Sequence, residues 1–235
     1  QFAPLIGGSS LFEDALKRAT SIGSVLPIVV TSSKYRFLAQ KQLHDCDVTG
    51  HILLEPSQKN TAPAVFAAAC FVHNANEDAL VLVMPSDHHI PDQKAFADLV
   101  QSGCAAAMDG SLVTFGVNPC NPMTGYGYIE LGKNTLKQCY DVKKFHEKPT
   151  LEEAEQMLAV GNHVWNAGIF LFRASALLAL AEQLEPEMIN HVKASIAGAE
   201  QVNNFWHLDA NHWNQIDNWQ NKRKVGKHQI ILKKE

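Results

Sequence analysis

Short apolar runs alternate along the chain with longer segments whose apolar residues recur at helical spacing. The clearest run, at 79–84, is continuously apolar and stops at a Pro-Ser-Asp turn. A run of this length bounded by turn residues is typical of a central strand buried on both faces of a sheet. Further strands are predicted at 26–31, 51–54, 112–116 and 164–172. Strands alternating with helices predict an α/β fold with a mostly parallel, doubly wound sheet.

A capping box marks the start of the first predicted helix. Ser10 and Glu13 have the required spacing, and Thr150 opens an amphipathic segment that runs to about residue 160. A helix that follows Ser32 or Ser33 is expected to face inward through its apolar residues, Phe37, Leu38 and Leu43. Periodicity predicts the remaining helices, at about 61–73, 93–108, 174–184 and 187–199.

The alternation of predicted strands and helices ends after Gly116. A loop rich in proline and glycine leads to apolar strands at 128–131 and 140–145, which predict a smaller, partly antiparallel region over the edge of the main sheet. From residue 203 the hydrophobic periodicity weakens. This part of the chain contains scattered tryptophans and a basic stretch at 222–227. Such a charge run is usually a solvated face or a loose terminus.

Composition narrows the classes of function. A chain of 235 residues can form one large α/β domain or two small ones, and its net charge of −4 provides no basic surface for nucleic acid or an anionic membrane. Five dispersed cysteines without a CxxC pair favour reduced thiols and a cytoplasmic location. No apolar run approaches the roughly 20 residues of a membrane span. The chain lacks an initial Met and is expected to be cut at its front.

Asp87 follows the apolar run at 79–84, where it would lie at the carboxyl edge of the sheet. Open α/β sheets bind their ligands at this edge, so Asp87 is a candidate ligand for a metal ion. An aspartate after Pro-Ser equally well caps a turn or the next helix. This stretch alone does not separate the two interpretations.

The segment from Glu55 and Pro56 to Pro63 joins a strand to a helix. Asn60 or Thr61 can cap that helix, which by itself would account for both residues. The free N–H groups and the positive end of the helix dipole would also suit the phosphates or the base edge of a nucleotide.

Three further stretches could contact a ligand. Gly127, in Gly-Tyr-Gly-Tyr, would let the backbone approach a sugar closely, or it marks only a tight turn. Glu147 and Lys148 could bind sugar hydroxyls and a phosphate, or form a surface charge pair. Asn166 could hydrogen-bond a ligand or its own turn. His88 and His89 lack partners at ligand spacing and are interpreted as structural or solvent-facing.

The order of these segments resembles one family. The sequence contains, in succession, EPSQKNTAPA, VLVMPSDHHI, GYGYIE, KKFHEKP and WNAGIFLF. Together they resemble the bacterial mannose-1-phosphate guanylyltransferases, or GDP-mannose pyrophosphorylases, and the resemblance extends from residue 1 to about 209. It implies a Rossmann-like nucleotide-diphospho-sugar transferase fold, with a mostly parallel central sheet and a smaller antiparallel sugar-binding region. It assigns residues 1–202 to a nucleotidyltransferase domain incomplete at its N-terminus, and 203–235 to a divergent tail.

The resemblance also implies a reaction, in which GTP and mannose 1-phosphate give GDP-mannose and pyrophosphate for polysaccharide biosynthesis. By motif match, Asp87 would be catalytic and would ligate Mg²⁺. The nucleotide would be bound by Glu55, Pro56, Asn60 and Thr61. The sugar phosphate would be bound by Gly127, Glu147, Lys148 and Asn166. No nucleic acid or membrane partner is implied, and a homodimer is one oligomeric state that the sequence leaves open.

Two departures from the family pattern matter. The glycine-rich signature expected before Gln1 is absent, as is the later Trp-Ser-Asp segment that would supply a second metal-binding aspartate. Asp217 does not match that segment in spacing. Two alternatives therefore stay open, a catalytically silent nucleotide-sugar binding module and a sugar-1-phosphate nucleotidyltransferase of other specificity.

We predict that this polypeptide alone has little or no transferase activity, because one carboxylate leaves most ligands of a hard cation to the nucleotide and water. The measurement is pyrophosphate release from GTP and mannose 1-phosphate. A rate near that of an intact family member would contradict the prediction.

Overall fold

A computed structural model describes residues 1–6, 8–23, 26–136, 139–216 and 228–233. The chain forms two compact units, each assembled from three stretches of sequence. The first unit contains Gln1–Ala79, Pro85–Gln93 and Ala174–Arg223. The second contains Leu80–Met84, Lys94–Arg173 and Lys224–Glu235. Helices and strands occur in both units, which confirms the predicted α/β class.

The strands are β1 (Pro4–Ile6), β2 (Ser9–Ser10), β3 (Ile28–Ser32), β4 (His51–Glu55), β5 (Leu80–Val83), β6 (Leu112–Val117), β7 (Tyr128–Leu136), β8 (Cys139–His146), β9 (His163–Arg173), β10 (Glu200–Val202), β11 (Phe205–His207) and β12 (His228–Lys233). The helices are α1 (Leu11–Ser21), α2 (Arg36–Asp45), α3 (Thr61–Ala75), α4 (Gln93–Met108), α5 (Leu151–Val160), α6 (Ala174–Leu184), α7 (Pro186–Ala197) and α8 (Ala210–Asn214). None of these described helices is both long enough and apolar enough to cross a membrane.

The first unit contains a four-stranded sheet in the order β10-β11-β4-β3. β3, β4 and β11 are parallel, and β10 returns antiparallel to β11. Ser32 lies opposite Glu55, so β3 and β4 end together at one edge of the sheet. Ile52 and Leu54 pack with Phe12 of α1 and Phe205 of β11 in a common core.

The predicted capping box at Ser10 is confirmed, and the structure shows a second one at Thr150. The Ser10 hydroxyl accepts a hydrogen bond from the Glu13 N–H at 3.1 Å, and the Glu13 carboxylate accepts one from the Ser10 N–H at 2.7 Å. Thr150 and Glu153 make the same reciprocal pair at the start of α5. These bonds satisfy N–H groups that have no partner within the helix, so both helices begin where the sequence places them.

The predicted inward face of α2 is only partly right. Leu43 is buried, but Phe37 and Leu38 are 61% and 45% exposed. The buried face of α2 contains Ala39, Gln42 and Leu43, which helical spacing places together. Gln42 can be buried because its amide accepts a hydrogen bond from the Ser10 hydroxyl and donates one to the Phe2 carbonyl.

The second unit contains a six-stranded sheet in the order β5-β9-β6-β12-β8-β7, with an additional pairing of β9 with β7. The β6–β12 pair is parallel, and the other pairs are antiparallel. The antiparallel part of the fold is therefore larger than the sequence pattern indicates, because the long strand β7 pairs antiparallel with both β8 and β9.

The prediction that the apolar run at 79–84 is a central parallel strand is wrong. β5 lies at the end of its sheet and, among the described residues, pairs only with β9, antiparallel. All four of its residues are half-buried. A continuous apolar run indicates a strand but encodes neither its depth in the fold nor the direction of its partner, and the apolar end of β9 supplies an antiparallel one.

The helices α3, α6 and α7 pack together in the first unit. α3 packs mainly on α6 and α7, and its Ala67 and Ala69 are fully buried, as close helix packing requires. The residues after β11 continue this packing, with Trp213 and Ile216 buried. The basic stretch at 222–227 and the Asp217-Asn218-Trp219 segment lie outside the described residues.

Candidate functional site

The site residues predicted from the sequence fall into two groups, one in each unit. The first unit contains Glu55, Pro56, Asn60, Thr61 and Asp87. The second unit contains Gly127, Glu147, Lys148 and Asn166.

A cavity of about 440 Å³ lies at the carboxyl ends of β3 and β4 in the first unit. The residues that line it are Gln1, Phe2, Val30, Thr31, Ser32, Tyr35, Glu55 and Gln58. This volume is in the range of small-molecule sites, and the carboxyl edge of parallel strands is where α/β sheets commonly bind ligands. Glu55 supplies the carboxylate of this cavity.

Glu55 is the last residue of β4 and is half-buried. Burial raises the pKa of its carboxyl group to about 7, because removal of water disfavours the charged form. A carboxyl group that changes charge near neutral pH can respond to a ligand that brings hydrogen-bond donors to it. This property distinguishes Glu55 from an ordinary surface glutamate.

The loop after Glu55 is held by α8. The Trp213 indole N–H donates a hydrogen bond to the Ser57 carbonyl at 2.7 Å, and the Ser57 hydroxyl donates one to the Asn214 side-chain oxygen at 2.8 Å. Lys59 donates to the Asn214 carbonyl at 3.3 Å. The role of Trp213 was not predicted from the sequence, because a lone tryptophan in a polar segment gives no periodic signal and its partner is far away in the chain.

Asn60 occupies the N-cap position of α3, but its side chain accepts no hydrogen bond from the helix. Its φ of +65° lies in the left-handed region, which asparagine tolerates better than most residues. Capping by the Asn60 side chain, one of the predicted alternatives, is therefore wrong. Asn60 and Thr61 are exposed, and Pro56 is exposed at the start of the loop.

Asp87 is exposed in a turn after β5. α4 begins only at Gln93, so Asp87 does not cap that helix, although the predicted turn is present. Arg18 of α1, itself buried, donates a hydrogen bond to the His88 carbonyl at 3.2 Å and thereby anchors the turn. His88 is half-buried, and burial lowers its pKa, whereas His89 is exposed.

The second unit brings Gly127, Glu147 and Asn166 together. The Asn166 backbone N–H donates to the Gly127 carbonyl at 2.8 Å. A Cβ atom added to Gly127 would lie 3.2 Å from a carboxylate oxygen of Glu147, which is closer than side chains normally approach. Glycine therefore lets the Glu147 carboxylate rest against the backbone. The predicted approach of a sugar to Gly127 stays a prediction.

The Asn166 side chain stabilises its own strand. Its oxygen accepts hydrogen bonds from the Gly168 N–H at 3.0 Å and from the Thr114 hydroxyl at 3.4 Å. Gly168 has a φ of +64° at an irregular step in the β6–β9 pairing. The predicted turn contact of Asn166 is confirmed, and it orients the amide so that the NH₂ group is available as a donor.

Lys148 follows Glu147 and is exposed, with a φ of +45°. The buried Pro149 and the cap of α5 come directly after it and restrict the backbone at this point. Near Gly127, the rings of Tyr126 and Trp165 meet edge to face with their centroids 5.1 Å apart. This aromatic pair was not predicted from the sequence, although Tyr126 lies in the GYGYIE segment and Trp165 in the WNAGIFLF segment.

Comparison with known proteins places the chain in a family. A family profile described as nucleotidyl transferase matches residues 1–229. A mannose-1-phosphate guanylyltransferase of Sinorhizobium fredii is 42% identical over 218 residues, which make up 92% of this chain and 43% of that protein. The chain spans less than half the length of the curated relatives it matches.

Two solved structures share the fold at somewhat lower identity. One, described as a mannose-6-phosphate isomerase from Helicobacter pylori, has a TM-score of 0.87 at 28% identity and covers 99% of this chain and 91% of that chain. Another, described as a mannose-1-phosphate geranyltransferase from Thermus thermophilus, has a TM-score of 0.82 at 26% identity and covers 98% of this chain and 66% of that chain. The chain therefore belongs to the nucleotidyl transferase family and is similar to its mannose-1-phosphate guanylyltransferases.

Proposed function

We propose that this chain provides the base-binding and sugar-binding residues of a mannose-1-phosphate guanylyltransferase, which forms GDP-mannose and pyrophosphate from GTP and mannose 1-phosphate. The observation that carries the proposal is the cavity at the ends of β3 and β4, with the half-buried Glu55 in its wall. Family membership supplies the class of reaction, and the name of the Sinorhizobium relative supports the choice of base and sugar.

Glu55 fits the hydrogen-bonding edge of guanine. Guanine presents two donors side by side, N1–H and the 2-amino group, and an ionised carboxylate presents two acceptors at matching separation. Adenine presents one donor, its 6-amino group, beside an acceptor at N1, so it would pair with only one carboxylate oxygen and set N1 against the other. Pro56, Asn60 and Thr61 would contact the same nucleotide through the loop that Trp213 anchors.

The mannose phosphate would be held by residues of the second unit. The Glu147 carboxylate accepts hydrogen bonds from sugar hydroxyls, and the Asn166 NH₂ group donates one. The Lys148 ammonium group, exposed in its loop, offsets phosphate charge. In the reaction, an oxygen of the sugar phosphate attacks the α-phosphorus of GTP in line, and pyrophosphate leaves. The protein contributes by positioning both substrates and neutralising their charge.

Asp87 fits the Mg²⁺ that the family resemblance implies. Its carboxylate is exposed, and none of the described residues donates a hydrogen bond to it. A hard oxygen donor suits Mg²⁺, which keeps several waters and usually binds through one or two carboxylates and the phosphates of its substrate. When bound, the ion supplies positive charge that shields the phosphates from one another.

The proposal is tested by calorimetric titration of the 235-residue chain with GDP-mannose, GDP-glucose and ADP-mannose. We expect GDP-mannose to bind most tightly, because both the base and the sugar then have matched partners. Absence of GDP-mannose binding would overturn the proposal, and tighter binding of another nucleotide sugar would overturn its specificity. A parallel pyrophosphate assay separates an enzyme from a silent binder. Consumption of mannose 6-phosphate is measured too, because the similar Helicobacter pylori structure is described as an isomerase.

The affinity for GDP is expected to rise with pH between pH 6 and 8. Because burial raises the pKa of Glu55 to about 7, the carboxyl group is mostly protonated at pH 6 and mostly ionised at pH 8. Guanine keeps its N1 proton over this range and prefers the ionised form. The dissociation constant should fall by up to about tenfold over these two pH units. Glu55→Gln should bind more weakly and lose this dependence, and an unchanged pH profile in the variant would exclude the role of Glu55.

Gly127→Ala should weaken binding of mannose 1-phosphate without unfolding the protein. The new Cβ meets the Glu147 carboxylate, the mobile end of an exposed side chain, so the carboxylate moves and the backbone does not. We expect a stability change within about 0.5 kcal/mol and an affinity loss of about tenfold. Gly125→Ala is the matched control, because a Cβ there meets nothing within 4 Å. Equal affinity of the two variants, measured by calorimetry, would contradict the proposed role of Glu147.

A further inference from the structure

Three side chains on neighbouring strands of the second unit form a cluster with the donors of a metal site. Glu130 lies on β7, His146 on β8 and His163 on β9. Each offers one ligand atom, and these atoms all lie within 4.8 Å of one another. Within the described part of the chain, no other group of three or more His, Cys, Asp or Glu residues meets this condition.

Strand register explains why these residues meet. Glu130 lies directly opposite His163 in the β7–β9 pairing, and His146 lies opposite Tyr128 in the β7–β8 pairing. Tyr128 and Glu130 are two residues apart and share one face of β7. All three side chains therefore project from the same face of the sheet, with β7 in the middle. The rings of His146 and His163 lie 5.5 Å apart between centroids.

The two histidines each have a nitrogen atom without an evident partner. Nε2 of His146 and Nδ1 of His163 are shielded from solvent, and no described residue hydrogen-bonds to either. Burial lowers the pKa of both rings, which favours the neutral imidazole with a free lone pair.

Glu130 supplies a negative charge to the cluster. Its side chain is 17% exposed, and Lys143 donates a hydrogen bond to one carboxylate oxygen at 2.6 Å. This contact lowers the pKa of Glu130, so the carboxylate is ionised at neutral pH. The Asn162 side chain also interacts with the Glu130 carboxylate. The two carboxylate oxygens have about four lone pairs between them, so lone pairs remain for a cation. The ammonium groups of Lys143 and Lys144 oppose a further positive charge nearby.

We propose that Glu130, His146 and His163 bind a zinc ion. Two imidazoles and one carboxylate form a known ligand set for Zn²⁺, with a fourth position left to water. Ligand atoms around tetrahedral zinc are about 3.5 Å apart, so modest side-chain rotations suffice to close the cluster. The site differs in chemistry from the Mg²⁺ site proposed at Asp87, because nitrogen donors favour zinc over the harder ion. It does not depend on the proposed function.

The test is a competition titration of metal-free protein with Zn²⁺ against a chromophoric chelator. We expect one zinc ion per chain and a rise in the unfolding temperature with Zn²⁺, because a ligand that binds only the native state stabilises it. His146→Gln and His163→Gln should each weaken binding at least tenfold. His191→Gln is the matched control, since His191 also faces a second histidine, His212, but belongs to no three-residue group in the described chain.

Lys143→Ala provides a variant that tests the site with little risk to folding, because the Lys143 side chain is 65% exposed. Removal of its ammonium group frees the Glu130 carboxylate and should tighten zinc binding severalfold. Weaker binding in this variant would contradict the proposal. So would unchanged affinity in His146→Gln and His163→Gln, or the absence of stoichiometric binding in the native protein. Cobalt substitution adds a spectroscopic check, because four-coordinate Co²⁺ has a strong visible absorption that the two histidine variants should lose.

Discussion

The pairing of β9 with three other strands is the constraint on which the second unit depends. The end of β9 nearer Arg173 pairs with β5, its beginning pairs with β7, and β6 follows most of its length. An irregular step at Gly168 lets one strand satisfy these neighbours, and the Asn166 side chain stabilises that step by accepting the Gly168 N–H. Register determines which face every side chain occupies, so this irregular step and the β7 pairing together determine where Asn166 and His163 lie.

Local rules of sequence predicted the starts of helices well and strand direction poorly. Ser10 and Thr150 meet the requirements of a capping box within four residues, so their helices could be placed without knowledge of the fold. The apolar run of β5 was recognised as a strand, but its antiparallel partner lies far along the chain. Phe37 was assigned to the core from its hydrophobicity, although helical geometry places it opposite Ala39 and Leu43.

The candidate site residues could likewise be predicted only in part from the sequence. Glu55 and Asp87 could be selected because each follows a predicted strand, and strand ends are where such sheets bind ligands. The raised pKa of Glu55 could not be foreseen, since it depends on burial by residues of other elements. Glu130, His146 and His163 are separated by long stretches and match no spacing motif. Only the register of three strands brings them together, and register is not encoded in any one of those segments.

The indole of Trp213 couples α8 to the loop after β4, two segments that are far apart in the sequence. Its hydrogen bond to Ser57 means that α8 cannot detach without releasing the loop that begins after Glu55. Local unfolding or proteolytic nicking near residue 210 would therefore alter the wall of a cavity formed almost entirely by the first 60 residues. A version of the protein shortened for crystallisation should therefore extend through Ile216. This residue follows Trp213 closely in the sequence and is buried as well.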